Sequence, residues 1–347
     1  MRAAQFSEFG GPEKLGIVEA PDPTPKAGEI VIRVAAVGLN FFDTLVLRNR
    51  YQVTPTLPHS PGAEVAGTIE AVGPAVSGVE ARQRVMAHIG GNGCREKVVT
   101  EAKNAIPIPE GVSDEVAACL SVTYGTALHG LKDRGQLKPG ETIAVLGAAG
   151  GAGLAAIEIA KLMGGRVIAV ASSAEKLAIA TAHGADEGAP LAKCLPDHSK
   201  VAQFQAVQGV NYQTEDLKIR LKELTGGSGV DVLYDCVGGP HAEPALRAMA
   251  WEGRYLVVGF AAGEIPRFPL NIVMLKGCAV IGVLLSGFVA RRPDRHRANM
   301  VELLEWCRER KIVPHIHGVF SLEETAKALG LIEARKVTGK VIVNPQL

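Results

Sequence analysis

The sequence predicts an α/β protein of two domains, one a doubly wound parallel sheet and the other mostly β. Three observations carry this. At 347 residues the chain exceeds the ~250–300 that one hydrophobic core ordinarily serves. From Glu141 to about Gly287, short apolar runs alternate with segments of helical spacing, the pattern of parallel strands covered on both faces. Before that stretch, short Val/Ile-rich runs sit between turn clusters, PDPTPKAGE at 21–29 and GGNG at 90–93.

In the first domain, residues 1–115, strands are predicted at Ile30–Val37, Glu64–Val72, Arg84–His88 and Lys97–Thr100. The second, residues 116–287, has strands at Thr142–Leu146, Arg166–Ala171, Val230–Cys236, Arg254–Val258 and Ala279–Val283. Helical spacing lies between them at Gly153–Met163, Ala174–His183, Glu215–Thr225 and Pro240–Ala250. Residues 288–347 begin with an amphipathic helix, Asp294–Arg310, followed by an extended run, His315–Phe320. A further helix is expected to open at Ser321, because Ser321 and Glu324 have capping-box spacing. The last strand is Gly339–Val343, and this tail is expected to return and complete the first domain.

Composition narrows the function classes. Net charge is +1, from 37 basic and 36 acidic side chains, which excludes a nucleic-acid or membrane surface driven by bulk charge. No run approaches the ~18–20 apolar residues of a membrane span. The six cysteines (Cys94, Cys119, Cys194, Cys236, Cys278, Cys307) lack CxxC spacing, and the opening MRAAQFSEFG lacks an apolar leader; a cytoplasmic protein is expected. Glycine stands out at 40 of 347 residues, above the usual ~7%. Such a chain turns tightly often, or lets something approach its backbone closely.

The strongest local signal is IAVLGAAGGAGLAAIEIAK, Ile143–Lys161. An apolar strand ends at Leu146, and Gly147, Ala148, Ala149, Gly150, Gly151, Ala152 and Gly153 lead straight into a helix. Small residues let the backbone come close to a diphosphate, and the helix N-terminus offers N–H groups at the positive end of its dipole. Ordinary tight turns produce look-alikes. Here the turn joins strand to helix inside a β/α alternation, the Rossmann context that points to a dinucleotide. The next strand, RVIAVASSAEK, ends where an NAD site carries Asp or Glu. This chain has Ser172, Ser173 and then Lys176, able to bind a 2′-phosphate, while Glu175 falls past the strand end. The expected cofactor is NADPH; the bland alternative is that these are ordinary helix-start and surface residues.

Several segments carry a family likeness across nearly the whole chain. They are GLNFFDTLVLRNRY (Gly38–Tyr51), PGAEVAGTIEAVG (Pro61–Gly73), IPIPEGVSDEVAA (Ile106–Ala118), the AAGGAG turn, LTGGSGVDVLYDCVGG (Leu224–Gly239), VVGFAAGEIP (Val257–Pro266) and TGKVIV (Thr338–Val343). The sequence resembles the medium-chain dehydrogenase/reductases, specifically the zinc-independent quinone oxidoreductase (zeta-crystallin-like) branch. The resemblance implies a GroES-like catalytic domain beside a Rossmann domain. It also implies NADPH-dependent hydride transfer to a small quinone or α,β-unsaturated carbonyl, and a homodimer; Ala279–Val283 and Leu284-Leu285 could pair across a dimer sheet edge or could equally be core. Zinc-dependent relatives carry a Cys near the Asn40 position and a His in a GHE segment; here they are Asn40 and Ala63. An amide and a methyl do not replace a thiolate and an imidazole on Zn²⁺, so no metal is expected. Quinones and enones spread the incoming charge onto their own oxygen, so hydrogen-bond donors can suffice.

By the same resemblance Asn40 and Asp43 lie beside the nicotinamide and substrate, and i, i+3 spacing puts them on one helical face. Asn40 could donate to a carbonyl and Asp43 orient a ribose or a neighbour; equally, they are a turn residue and a helix-start carboxylate. Tyr51 could protonate the enolate or wall the cleft. Further cofactor contacts are expected from Thr123, Tyr212, Val237, Gly238 and Phe260. Lys340 either reaches the cofactor or is a solvated charge.

Two features depart from the family pattern. Residues 187–210 insert roughly twenty residues between Asp186 and Asn211, with Cys194 and His198 inside. ARRPDRHR, Ala290–Arg297, places Arg291, Arg292, Arg295 and Arg297 at a helix start, where basic charge opposes the dipole. These arginines either recruit an acyl-CoA, which would make the chain an enoyl-thioester reductase, or form a solvated face. A cofactor-binding structural or RNA-binding role is a third reading, against which the near-neutral charge and the lack of a basic/aromatic stripe argue; nucleic acid is not expected as primary partner.

Overall fold

Alternating apolar runs with Gly- and Pro-rich punctuation form strands throughout the first hundred residues of a computed structural model, which describes residues 1–186 and 209–347. They are β1 (Arg2–Gln5), β2 (Gly16–Glu19), β3 (Glu29–Leu39), β4 (Glu64–Val72), β5 (Arg84–His88), β6 (Lys97–Glu101) and β7 (Ala105–Pro107). β1 and β2 pair as a separate antiparallel ribbon. β3 pairs antiparallel with β4 and β6, β4 with β5, and β5 with β7. Alternate residues Ile30, Ile32 and Val34 of β3 join Val65, Ile69 and Val85 in one buried core. The helix Phe41–Leu47 follows β3 directly, so the strand end aims Asn40 at the helix start.

The β/α alternation gives β8 (Thr142–Leu146), β9 (Arg166–Ala171), β10 (Gly209–Asn211), β11 (Val230–Asp235), β12 (Met249–Val257) and β13 (Ala279–Gly282). All neighbours are parallel, in the order β10-β9-β8-β11-β12-β13. Successive strands run outward from β8 in one direction, then outward from β11 in the other. The carboxyl ends of β8 and β11 therefore flank the switch point at which open α/β sheets bind ligands. Leu146 and Asp235 are register partners at that point.

The chain then returns to the first sheet. β15 (Lys340–Asn344) pairs antiparallel with β3 and parallel with β14 (Ile316–Ser321). Two compact units result, Met1–Gly125 with Arg292–Leu347, and Thr126–Arg291. The first junction lies ten residues beyond the expected 115/116, because the helical segments Asp114–Ala117 and Leu120–Tyr124 pack on β3, β4 and β5. The second falls at 291/292 rather than 287/288, since Leu285–Arg291 is a helix anchored by buried Leu285 and Phe288, the latter stacked 3.9 Å from His129.

Ser321 does not open a helix. It ends β14, and its N–H donates to the Glu324 carboxylate at 3.3 Å, half of the expected box. The helix runs Thr325–Glu333, after a turn closed by Thr325 Oγ1 donating to Leu322 O. Cys194, His198 and nearly all of the 187–210 insertion lie outside the described residues.

Candidate active site

In the second unit, the turn after β8 is shaped by contacts that only glycine permits at two positions. Gly147 has φ +77°, and an added Cβ there would stand 3.0 Å from Val237 Cγ2. A Cβ on Gly153 would stand 2.2 Å from Gly147 O, so helix Gly151–Leu162 packs directly against the turn. Ala148 and Ala149 are buried beneath, while Gly150, Gly151 and Ala152 are partly exposed. Gly150 caps the helix with no side chain. Unpaired N–H groups therefore stand at the end of β8, where a diphosphate is held in this topology.

Beside it, β9 ends at Ala171, and the chain enters helix Ala174–Ala182. Ser173 is that helix's N-cap, accepting the Lys176 N–H at 3.3 Å, and its hydroxyl helps to hold the Glu175 carboxyl below its ordinary pKa. Ser173 is thus committed to the helix start. Ser172 and Lys176 stand together, Nζ to Oγ at 3.2 Å. Tyr212 is brought to the same place: β10 pairs with β9 so that Tyr212 N–H donates to Ala171 O, and its ring lies 4.2 Å from that of His241. On the other side of the switch point, Val237 and Gly238 follow β11, and Phe260 follows β12. Gly238, with φ +64°, lies under Phe260; a Cβ there would meet the ring at 2.9 Å.

The first unit holds a buried polar cluster. Glu64 Oε1 accepts from Lys340 Nζ at 2.6 Å and from Asn40 Nδ2 at 2.9 Å; Oε2 accepts from Val122 N–H at 2.8 Å and Ser121 Oγ at 3.1 Å. Lys340 also donates to Asn40 Oδ1 at 2.7 Å and Leu39 O at 3.0 Å. Lys340 is 3% exposed, so it is not a solvated charge, and three acceptors take its three hydrogens. Asn40 Nδ2 gives its second hydrogen to Gly38 O at 3.3 Å. The expectation that Asn40 donates to a substrate carbonyl meets an amide already spent.

Asp43 is 2% exposed and serves backbone: Oδ2 accepts Asn40 N–H at 2.8 Å and Oδ1 accepts Gly62 N–H at 2.9 Å. This is the helix-start carboxylate, one that also ties the Pro61–Gly62 loop to the helix. Burial raises its pKa to about 6 despite those two bonds. Thr123 donates to Cys119 O at 2.8 Å within its helical turn. Tyr51 stands apart from this cluster. Its ring lies 5.4 Å from that of Phe42, its pKa is raised by burial and then by Asp43, and no hydrogen bond to its hydroxyl occurs among the described residues.

The residues present do not fit a zinc ion. Among the described residues no group of three His, Cys, Asp or Glu stands close enough to hold one. The position that would need a thiolate holds Asn40, and the Lys340 ammonium already neutralises Glu64. Sequence spacing could not reveal that cluster, because Lys340 and Glu64 are 276 residues apart.

Comparison with known proteins gives a consistent picture. Residues 26–124 match the model of the alcohol dehydrogenase GroES-like domain, and residues 204–343 that of the zinc-binding dehydrogenases. The chain is 36% identical over 345 residues to quinone oxidoreductase-like protein 2 of Bos taurus, spanning 99% of this chain and 92% of that one. The structure of Escherichia coli quinone oxidoreductase complexed with NADPH superposes with a TM-score of 0.86 at 28% identity, over 99% of this chain and 100% of the other. The CurK enoyl reductase does so at 0.84 and 27%, over 99% and 98%.

Proposed function

Because the chain belongs to the quinone oxidoreductase branch of the medium-chain dehydrogenase/reductases, we propose that it is an NADPH-dependent reductase of quinones or α,β-unsaturated carbonyls that works without a metal. Bound NADPH would supply the hydride. The Gly147–Gly153 turn would hold its diphosphate, with Ser172, Lys176 and Tyr212 around the 2′-phosphate and Val237, Gly238 and Phe260 beside the nicotinamide. The Lys340–Glu64–Asn40 cluster is the observation that supports the substrate class. It fills the place of a Lewis acid with a saturated ion pair, which suits acceptors that disperse charge themselves. With the Asn40 amide spent, the Tyr51 hydroxyl is the donor for the substrate oxygen.

The enoyl-thioester reading has the CurK likeness in its favour. The arginine cluster supports it less than its charge suggests. Arg297 donates to Lys103 O and Ala105 O, and Arg291 to Gly287 O. The separating experiment follows NADPH oxidation with a small quinone, an enone and a 2-enoyl-CoA. Turnover of the CoA ester alone would reverse the assignment, and NADPH binding without any turnover would restore the structural reading.

A homodimer fits the apolar edge of the second unit. Strand β13 is exposed along Ala279 and Val280, and Trp251, Leu270, Met274, Leu275 and Leu284 are each more than half exposed nearby in sequence or sheet order. No helix among the described residues is long and apolar enough to cross a membrane.

A further inference from the structure

Dinucleotides lie across the switch point of an open parallel sheet. Here the adenosine half falls over β9, where Ser172 and Lys176 stand, which leaves the nicotinamide half to the ends of β11 and β12. The turn on that side, Cys236–Gly239, bends through Gly238 and Gly239, which have φ +64° and +59° and no side chain to hold the bend. One carboxylate gathers its N–H groups. Asp235 Oδ1 accepts the N–H groups of both Val237, at 2.8 Å, and Gly238, at 2.9 Å. Its Oδ2 accepts the Tyr255 hydroxyl at 2.5 Å. Asp235 is 3% exposed and Tyr255 0%, and of the three bonds those from Gly238 and Tyr255 are buried, where they are strong and costly to lose.

The same residue ties the two turns together. Asp235 O accepts from Val258 and Gly259 N–H, while Cys236 O and Val237 O accept from Ala261 and Ala262 N–H. The Phe260 ring packs on Gly238 as part of this lacing.

We propose that Asp235, locked by Tyr255, is a positioning residue that sets the Val237–Gly238 turn for the nicotinamide half of NADPH and leaves the adenosine half alone. The inference rests on the NADPH reading above. It separates from a general stabilising role because the two halves of the cofactor can be offered separately. Asp235→Ala should weaken NADPH binding about tenfold, the scale of losing a charge-assisted hydrogen-bond pair, while 2′-phospho-ADP-ribose, which lacks nicotinamide, keeps its Kd within about twofold. Asp235→Asn should restore NADPH affinity, since one amide oxygen can still accept both N–H groups and the amide nitrogen can donate to the Tyr255 oxygen. Tyr255→Phe should show the same selective loss in smaller degree, and it carries the test with Asp235→Asn should the alanine variant not fold. Equal weakening of both ligands, unchanged NADPH affinity in Asp235→Ala and Tyr255→Phe, or failure of Asn to rescue would overturn the assignment. If the unaltered protein binds 2′-phospho-ADP-ribose but not NADPH, the positioning role is overturned; if it binds neither, the cofactor reading fails with it.

Discussion

At the scale of single residues, the active-site side chains divide into those that serve the fold and those left for ligands. Lys340 and Glu64 serve the fold. Lys340→Met leaves a buried carboxylate with its cation gone, and should cost about 3–5 kcal/mol in urea unfolding. Asp43 gives a pH signature. Its folded pKa, about 6, lies above the ordinary carboxylate value, so its contribution to stability is full below about pH 4 and lost as pH rises through 6. The stability advantage of the protein over Asp43→Asn should therefore be larger at pH 5 than at pH 7; a smaller advantage at pH 5 would mean that the backbone bonds outweigh burial. With Tyr51 as the proposed donor, Tyr51→Phe should lower kcat about a hundredfold or more, the low end for a lost proton donor. Lys176→Ala should narrow the preference for NADPH over NADH through the NADPH Kd, leaving NADH binding nearly unchanged.

At the scale of elements, local pattern foretold the strands and missed what depends on distant partners. β4, β5, β8 and β9 begin and end where their apolar runs do. β1 and β2 have no such contrast, and β2 is exposed throughout; pairing with each other, seen only in the fold, makes them strands. The Ser321 capping signal was outweighed by β14, which takes Ser321 into a ladder with Asn344. The glycine turn was legible because every residue of it is local. Within it, the structure distinguishes the glycines. Gly153→Ala places a Cβ against Gly147 O and should cost about 1–3 kcal/mol, whereas Gly150→Ala, with its nearest atom at 3.4 Å and ordinary φ, should change stability by no more than about 0.5 kcal/mol. Thermal unfolding of the two variants decides it.

For the whole molecule, the fold class and the family were readable because they rest on rhythms spread over hundreds of residues. The polar cluster was not, because it joins β3, β4 and β15 across the return of the chain. That cluster carries the proposed function: a saturated ammonium–carboxylate–amide group, offered as the substitute for a Lewis acid. Its most direct test is NADPH oxidation by the purified protein with a small quinone, before and after exhaustive treatment with a zinc chelator, alongside NADP+ reduction by primary alcohols. Quinone turnover should be unchanged by the chelator, with no alcohol oxidation. Loss of turnover on chelation with recovery on added zinc, or alcohol oxidation in place of quinone reduction, would contradict it.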